Sequence, residues 1–382
     1  MKKIIAQAAV AAAVLLLSIT GCEAPSGAAD DAFNYDPDLY RWSTASWTPF
    51  TVSAVSDSVS GITYGVVGTQ ERYVAVTRTG RIAWSNDGDV WNLAVTKPKE
   101  RPEDPEPLDP FTVSFNAVAF GDLQGTPRFV AVGDDGKYSW SDDGKAWTAS
   151  SSNMEGFGTT AIKGIAYGNG CFVVVGGNGN AANSTDGITW TDKHITALDT
   201  IQINAICYGE GKFFIAGDNG SVGYTANNGD SWQVQQATPP FTVEANRAIC
   251  YAGKWSSDYT PAPDGIKIGI VSWDGRGIVV TDDFIWAMAD SSKWDANLDK
   301  FAFDIDNKPV RGIAWGGGYY VASGVDARIG WWKDNDRAND RYWRALNYRN
   351  FRGWEVTCVS ALNGRFFVGG IGGKIAYSGK GL

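Results

Sequence analysis

The chain has 382 residues, a formal net charge of −9, 13% aromatics with 17 Trp, and only 20% charged residues. This is the composition of a packed globular body, one large repeat domain or two ordinary ones, and it excludes a disordered chain. The acidic balance argues against non-specific binding to nucleic acid or to an anionic membrane face. The single histidine, His194 in TDKHIT, rules out multi-histidine metal sites and leaves any Ser-His-Asp or Cys-His nucleophile dependent on one residue. That residue follows an expected strand and reads as a loop position.

From the N-terminus, residues 1 to 21 pair a positive start (Lys2, Lys3) with an apolar run over residues 4 to 17, the pattern of an export signal. The run is short for a membrane span. Ile19-Thr20-Gly21-Cys22 resembles the bacterial lipobox, which implies cleavage before Cys22 and lipid on its thiol. Glu23 rather than Asp follows, which favours the outer membrane. A plain secretory signal with a coincidental cysteine is the alternative. Residues 22 to 39 are small, acidic and Pro/Gly-containing and read as a lipidated cysteine followed by a flexible tether. Disulfides are possible in an exported protein, but Cys171, Cys207, Cys250 and Cys358 sit in apolar runs without CxxC spacing, the setting of buried free thiols.

Residues 40 to 382 are repetitive. NAICYGEGKFFIAGDNGSVGYTANNGDSW (204 to 232) and KGIAYGNGCFVVVGGNGNAANSTDGITW (163 to 190) share one template. An apolar strand, a tight Gly turn, a second apolar strand, a Gly/Asp/Asn turn and a third strand lead into an Asp-Gly-Trp turn and a fourth strand. The template recurs near Gly61, Ala117, Gly164, Ala205, Ala248, Gly312 and Thr357. Four short antiparallel strands in units of about 40 to 55 residues predict propeller blades. The last unit ends GGKIAYSGKGL without a Trp-bearing fourth strand, while SWTPF (46 to 50) matches fourth-strand openings such as WTAS. The expected fold is therefore an all-β, seven-bladed propeller of four-stranded antiparallel blades, its last blade closed by the N-terminal strand, which removes an exposed edge.

SNDGDVW (85 to 91), SDDGKAW (141 to 147) and STDGITW (184 to 190) resemble the Asp-box, or BNR, repeat of sialidases, Vps10-type sorting receptors and photosystem II assembly factors. TANNGDSW (225 to 232) is one residue longer, with Asn227 for Asp. TDDFIW (281 to 286) lacks the glycine, and KDNDRANDRYW carries an insertion. In physical terms the Asp accepts backbone N–H bonds of its own turn and the Trp fills space between blades, so the motif reads as architecture. The motif tryptophans are Trp47, Trp91, Trp147, Trp190, Trp232, Trp286 and Trp343. A second set, Trp84, Trp140, Tyr224, Trp331 and Tyr377, precedes the turn and reads as core filling. The resemblance implies that these turns lie opposite the face that binds.

On the binding face, the residue before the small inner-strand position is Ser60, Asn116, Lys163, Asn204, Arg247, Arg311 or Val356. Lys163, Arg247 and Arg311 make this expected channel mouth locally basic. The turns between second and third strands add Asp135, Asp218, Asp274, Arg276, Asp326 and Arg328, and the long loops over 96 to 113, 287 to 310 and 344 to 355 add Trp294 and Trp354, with Trp273 nearby. Such a mixture suits a glycan or an anionic peptide, or consists of solvated turns and internal ion pairs. No complete catalytic set stands out: Gly80-Arg81-Ile82 lacks the proline of the sialidase Arg-Ile-Pro motif, although two carboxylates at glycosidase spacing cannot be read from a linear sequence. No metal motif or cofactor is expected. The sequence thus predicts a lipid-anchored envelope propeller that binds or assembles an envelope protein or glycan, touching membrane only through its anchor. The alternative is a carbohydrate-active hydrolase or lyase of the Asp-box type.

Overall fold

A computed structural model describes residues 48–51, 57–98, 109, 111–235, 246–254, 266–272, 277–281, 310–324, 329–333, 344–346 and 355–378. The chain divides into two compact units, Met1–Trp42 and Ser43–Leu382, and every described residue belongs to the second.

The strands fall into successive sheets. β1 (Thr48–Thr51) is set apart in sequence from its sheet. β2 (Val59–Val67), β3 (Gln70–Thr77), β4 (Ile82–Ser85) and β5 (Asn92–Leu93) form the next sheet, followed by the short β6 (Val95–Thr96). β7 (Phe115–Leu123), β8 (Thr126–Gly133), β9 (Tyr138–Ser141) and β10 (Ala146–Ala149) make another, and so do β11 (Ile162–Gly168), β12 (Cys171–Gly176), β13 (Ala181–Ser184) and β14 (Thr191–Asp192). β15 (Ile203–Gly209), β16 (Lys212–Gly217), β17 (Val222–Thr225) and β18 (Gln233–Gln235) follow, then β19 (Asn246–Lys254), β20 (Ile266–Ser272) and β21 (Gly277–Thr281). The chain ends with β22 (Val310–Gly316), β23 (Tyr319–Gly324), β24 (Ile329–Lys333) and β25 (Arg344–Leu346), and with β26 (Val356–Leu362), β27 (Arg365–Gly370) and β28 (Lys374–Tyr377). β1 pairs antiparallel with β28, Thr48 opposite Tyr377, and so supplies that last sheet's fourth strand.

The fold is an all-β propeller, but the expectation of seven four-stranded antiparallel blades is corrected. Six blades carry four antiparallel strands in succession, while β19–β21 is three-stranded among the described residues. The sequence departs from the repeat at that point, since TDDFIW has no turn glycine. A second departure is β6. After Ala94, whose N–H donates to the Ile82 carbonyl, the chain leaves its own sheet and pairs parallel with β10 of the next.

Sequence pattern explains strand position. The second strands are apolar without alternation, CFVVVG in β12 and YYVASG in β23, because both of their faces are buried. First strands neighbour first strands in a closed circuit from β2 through β7, β11, β15, β19, β22 and β26 back to β2. Many of them carry an aromatic-glycine pair in their second half: Tyr64-Gly65, Phe120-Gly121, Tyr167-Gly168 and Tyr208-Gly209. At four successive gaps the aromatic ring of one sheet covers the glycine of the sheet before it: Phe120 on Gly65, Tyr167 on Gly121, Tyr208 on Gly168, Tyr251 on Gly209. At Gly121 an added Cβ would lie 2.5 Å from the Tyr167 ring, so no other residue fits without displacing the neighbouring sheet.

Gly121→Ala should therefore destabilise the protein by about 1–3 kcal/mol through overpacking. In urea unfolding, a Gly121→Ala/Tyr167→Leu double variant should lose less than the sum of the two single variants, since the ring is what the new methyl strikes. Strict additivity would show that the contact is not the joint between the sheets.

Candidate functional site

Each first strand breaks register at an equivalent position, and β19 breaks it a second time between Tyr251 and Lys254. The shifts fall at Ser60, Asn116, Lys163, Asn204, Arg247, Arg311 and Thr357. The residues expected at the mouth of the circuit are thus the bulge residues, with one correction: the seventh is Thr357. Val356 is fully buried and pairs with Gly370. A bulge frees one residue from the ladder and re-aims its side chain.

Several bulge side chains tie neighbouring sheets together. Ser60 Oγ donates to the Phe115 carbonyl at 2.7 Å, Asn116 Nδ2 to the Ile162 carbonyl at 2.9 Å, and Thr357 Oγ1 to the Val59 carbonyl. In each case the acceptor is the residue just before a bulge of the next sheet. Asn116 Nδ2 also reaches Asp134 Oδ1 at 2.8 Å, and Lys163 Nζ lies 3.4 Å from the same oxygen across the gap between sheets. Arg78 Nη1 donates to Asn116 Oδ1 at 3.3 Å, and Asn204 Nδ2 to Asp218 Oδ1 at 2.8 Å. Arg311 Nη2 pairs with Glu355 Oε1. Two of the three expected cations, Lys163 and Arg311, therefore face carboxylates of the protein itself, and Arg247 is half-buried at its bulge. Partial burial would raise the Asp134 carboxyl, but the Asn116 amide and the Lys163 ammonium hold it below its ordinary 3.8.

The turns beside these bulges carry Asp135, Asn178 and Asn219 at φ of 56°, 58° and 53°, the left-handed backbone that Asp and Asn tolerate best. Asp135 is exposed. Trp273, Asp274, Arg276, Trp294, Asp326, Arg328 and Trp354 lie outside the described residues, as does Cys22. His194 is exposed, with Nε2 2.6 Å from Asp199 Oδ1. Cys171, Cys207, Cys250 and Cys358 form no disulfide among the described residues, and burial pushes Cys358 up to about 12, far from a reactive thiolate.

The Asp-Gly-Trp turns engage their own carboxylates. Asp143 Oδ1 accepts from the N–H groups of Lys145 (2.7 Å) and Ala146 (2.9 Å) and from Ser141 Oγ (3.0 Å), Ser141 Oγ in turn accepts from Gly144 N (2.8 Å), and Trp147 Nε1 donates to the Gly144 carbonyl (3.0 Å). The turns at Ser85 and Ser184 repeat the carboxylate contacts. At the fourth, Asn227 Oδ1 takes the carboxylate's place and accepts from Ser231 N at 3.0 Å. A carboxylate so engaged is a structural clasp, not an acid or base.

Sequence reading missed what lies beneath these turns. Each turn glycine seats on a cationic residue of the preceding sheet: an added Cβ at Gly144 would meet Val74 at 2.9 Å and the Arg72 stem at 3.0 Å, and Gly187 similarly faces Val130 and Arg128. The Arg72 guanidinium lies 4.6 Å from the centre of the Trp84 ring, with Lys145 Nζ at 4.5 Å from it. Arg365 over Tyr377 (4.6 Å) and Lys212 over Tyr224 (4.8 Å) repeat the stack. The signal was available: Arg72, Arg128, Lys212 and Arg365 each precede an aromatic residue at the head of a second strand.

The clasps set an acid limit. Partial burial would raise Asp87 and Asp186, but backbone N–H groups and the Ser85 and Ser184 hydroxyls outweigh it and hold both below 3.8. Depressed carboxyls stabilise the fold fully above the unfolded value and lose that contribution as pH falls through the lower folded values. Urea unfolding should thus show stability falling below about pH 3.8, with a shallower fall in Asp87→Asn/Asp186→Asn. At neutral pH, Asp143→Ala should cost about 1–2 kcal/mol and Asp143→Asn less, because Asn keeps the acceptor. Equal costs would mean that the hydrogen bonds are not the clasp.

Comparison with known proteins agrees on architecture. The model of the DUF6242 beta propeller domain matches residues 141–245. No curated protein matches the chain. Among solved structures, the chain is similar to YCF48 bound to D1 peptide, at 13% identity over 88% of this chain and 97% of that one, with a TM-score of 0.59. It is also similar to the WD40 beta propeller domain of Doa1, at 13% identity over 88% and 98%, TM-score 0.57. YCF48 from Cyanidioschyzon merolae gives 16% identity over 87% and 98%, TM-score 0.54. At these identities the likeness is one of fold, and the chain is a β-propeller protein.

Proposed function

We propose that this propeller is a non-catalytic binding or assembly module, held on the bacterial envelope by lipid on Cys22, and that the bulge face takes a peptide segment of an envelope protein. Residues 1–21 are read as the export signal, 22–39 as the tether and 40–382 as the propeller, whose S-x-D-G-x-x-W turns are read as Asp-box repeats. The outer membrane is the favoured address, because Glu23 follows the lipobox cysteine.

The observation that carries this reading is the circuit of bulge side chains. Ser60, Asn116, Lys163, Asn204, Arg247, Arg311 and Thr357 set polar groups side by side, with Asp134 and Glu355 beside two of the cations. Donors and acceptors thus stand close together at the bulges. An extended peptide offers one donor and one acceptor per residue and suits such a rim better than a lone carboxylate, which would have to displace the internal partners. The likeness to a propeller solved as YCF48 bound to D1 peptide supports a peptide ligand.

Photocrosslinking in intact cells, from a residue placed at Asp135, tests the reading. A specific protein adduct is expected that disappears in Lys163→Ala/Arg311→Ala while the melting temperature holds. Cys22→Ala should move the protein from the membrane pellet to the soluble fraction. Turnover of an acidic glycoside that is abolished by Arg311→Ala would overturn the non-catalytic reading.

A further inference from the structure

A cleft of about 480 Å3 opens at the outer edge between the sheet β11–β14 and the next, β15–β18. Its volume is in the range of small-molecule sites. One wall is the segment that continues β14, with Lys193, His194 and Thr196. The other is the eight-residue turn, with Gly229, Asp230 and Trp232. The first wall is fixed by backbone bonds from Lys193 N to the Ala181 carbonyl (2.8 Å) and from Ile195 N to the Gly179 carbonyl (2.9 Å).

Trp232 is the unusual element. In two of the three seven-residue turns the indole donates to the turn glycine: Trp91 Nε1 to the Gly88 carbonyl at 2.8 Å, Trp147 Nε1 to Gly144 at 3.0 Å. The longer turn inserts Asn228, at φ 57°, before its glycine. Trp232 Nε1 is then shielded from water with no acceptor among the described residues. Trp190 Nε1 also has none, but that ring is 4% exposed and sealed in a hydrophobic cluster, whereas Trp232 is half-buried and lines the cleft. A polar atom in this state calls for an acceptor that the protein does not supply.

The remaining polar groups define the chemistry. Lys193 Nζ lies 2.6 Å from Asp230 Oδ1, across the cleft, and Asp230 is 61% exposed. Asp192 adds a second lining carboxylate, and the Asp199 carboxylate backs His194. Carboxylates outnumber the one ammonium, which disfavours an anion. A neutral, hydroxyl-rich ligand suits these groups: its hydroxyls donate to Asp230 and accept from Lys193 and, as the turn yields to admit it, from Trp232 Nε1, and its C–H face packs on the indole. We propose that this cleft binds a neutral pyranose sugar, at a site separate from the bulge residues.

Isothermal titration of the full chain with mannose, N-acetylglucosamine and cellobiose, and with glucuronate as the charged counterpart, tests the proposal. At least one neutral sugar should bind saturably and more tightly than glucuronate. Trp232→Phe, which keeps an aromatic ring but removes the N–H, and the surface change Asp230→Ala should each weaken binding about tenfold. Lys163→Ala should leave it unchanged, which separates this site from the peptide reading. No saturable neutral-sugar binding, tighter binding of glucuronate, or unchanged affinity in well-folded Trp232→Phe and Asp230→Ala would each overturn the proposal.

Discussion

Everything in this fold depends on how one sheet grips the next. Two contacts recur at several of the gaps. Near one end of the first strands, an aromatic ring lies on a glycine of the preceding sheet, as Tyr167 does on Gly121. At the turn between third and fourth strands, a glycine presses on an arginine stem of the preceding sheet, as Gly144 does on Arg72. Both contacts need a missing side chain on one partner and a large one on the other. Burial of apolar area supplies the energy, and the size mismatch supplies the registration.

The second contact also explains how a buried arginine is tolerated. Arg72 is 2% exposed, and its Nε and Nη1 meet no acceptor among the described residues. Burial lowers its pKa, while the Asp143 carboxylate of the next sheet acts in the opposite direction. The Trp84 face takes the remaining charge. The clasp carboxylate thus serves twice: it orders its own turn and compensates a cation beneath it. This coupling links the conformation of one sheet's turn to the packing of the sheet before it.

Much of this was legible in the sequence because repetition multiplies weak signals. A single Gly-Asp-Asn turn says little; the same turn in unit after unit reveals the order of strands within a repeat, though not that β19–β21 is three-stranded among the described residues. Positive φ at Asp135, Asn178 and Asn219 follows from residue type. The β1–β28 closure could be read from a missing fourth strand at one end and a spare one at the other. What could not be read was any contact between repeats. Lys163 stands in a row of bulge residues by pattern, yet its partner Asp134 belongs to another sheet. The parallel pairing of β6 follows no repeat at all, and the offset of one position between Val356 and the bulge residue Thr357 is invisible without pairing partners.

The division of labour along each repeat says where specificity can arise. Turn carboxylates, turn glycines and inner-strand aromatics are occupied by the fold, and changing them costs stability. The bulge is made by backbone, so its residue can vary: Ser, Asn, Lys, Asn, Arg, Arg and Thr occupy one equivalent position. The same holds at the outer edge, where a single turn is one residue longer and the half-buried Trp232 Nε1 lacks the acceptor that Trp91 and Trp147 have. A repeat protein acquires function where its units stop being equal, and in this chain the inequalities gather at the bulge circuit and at the cleft beside Trp232.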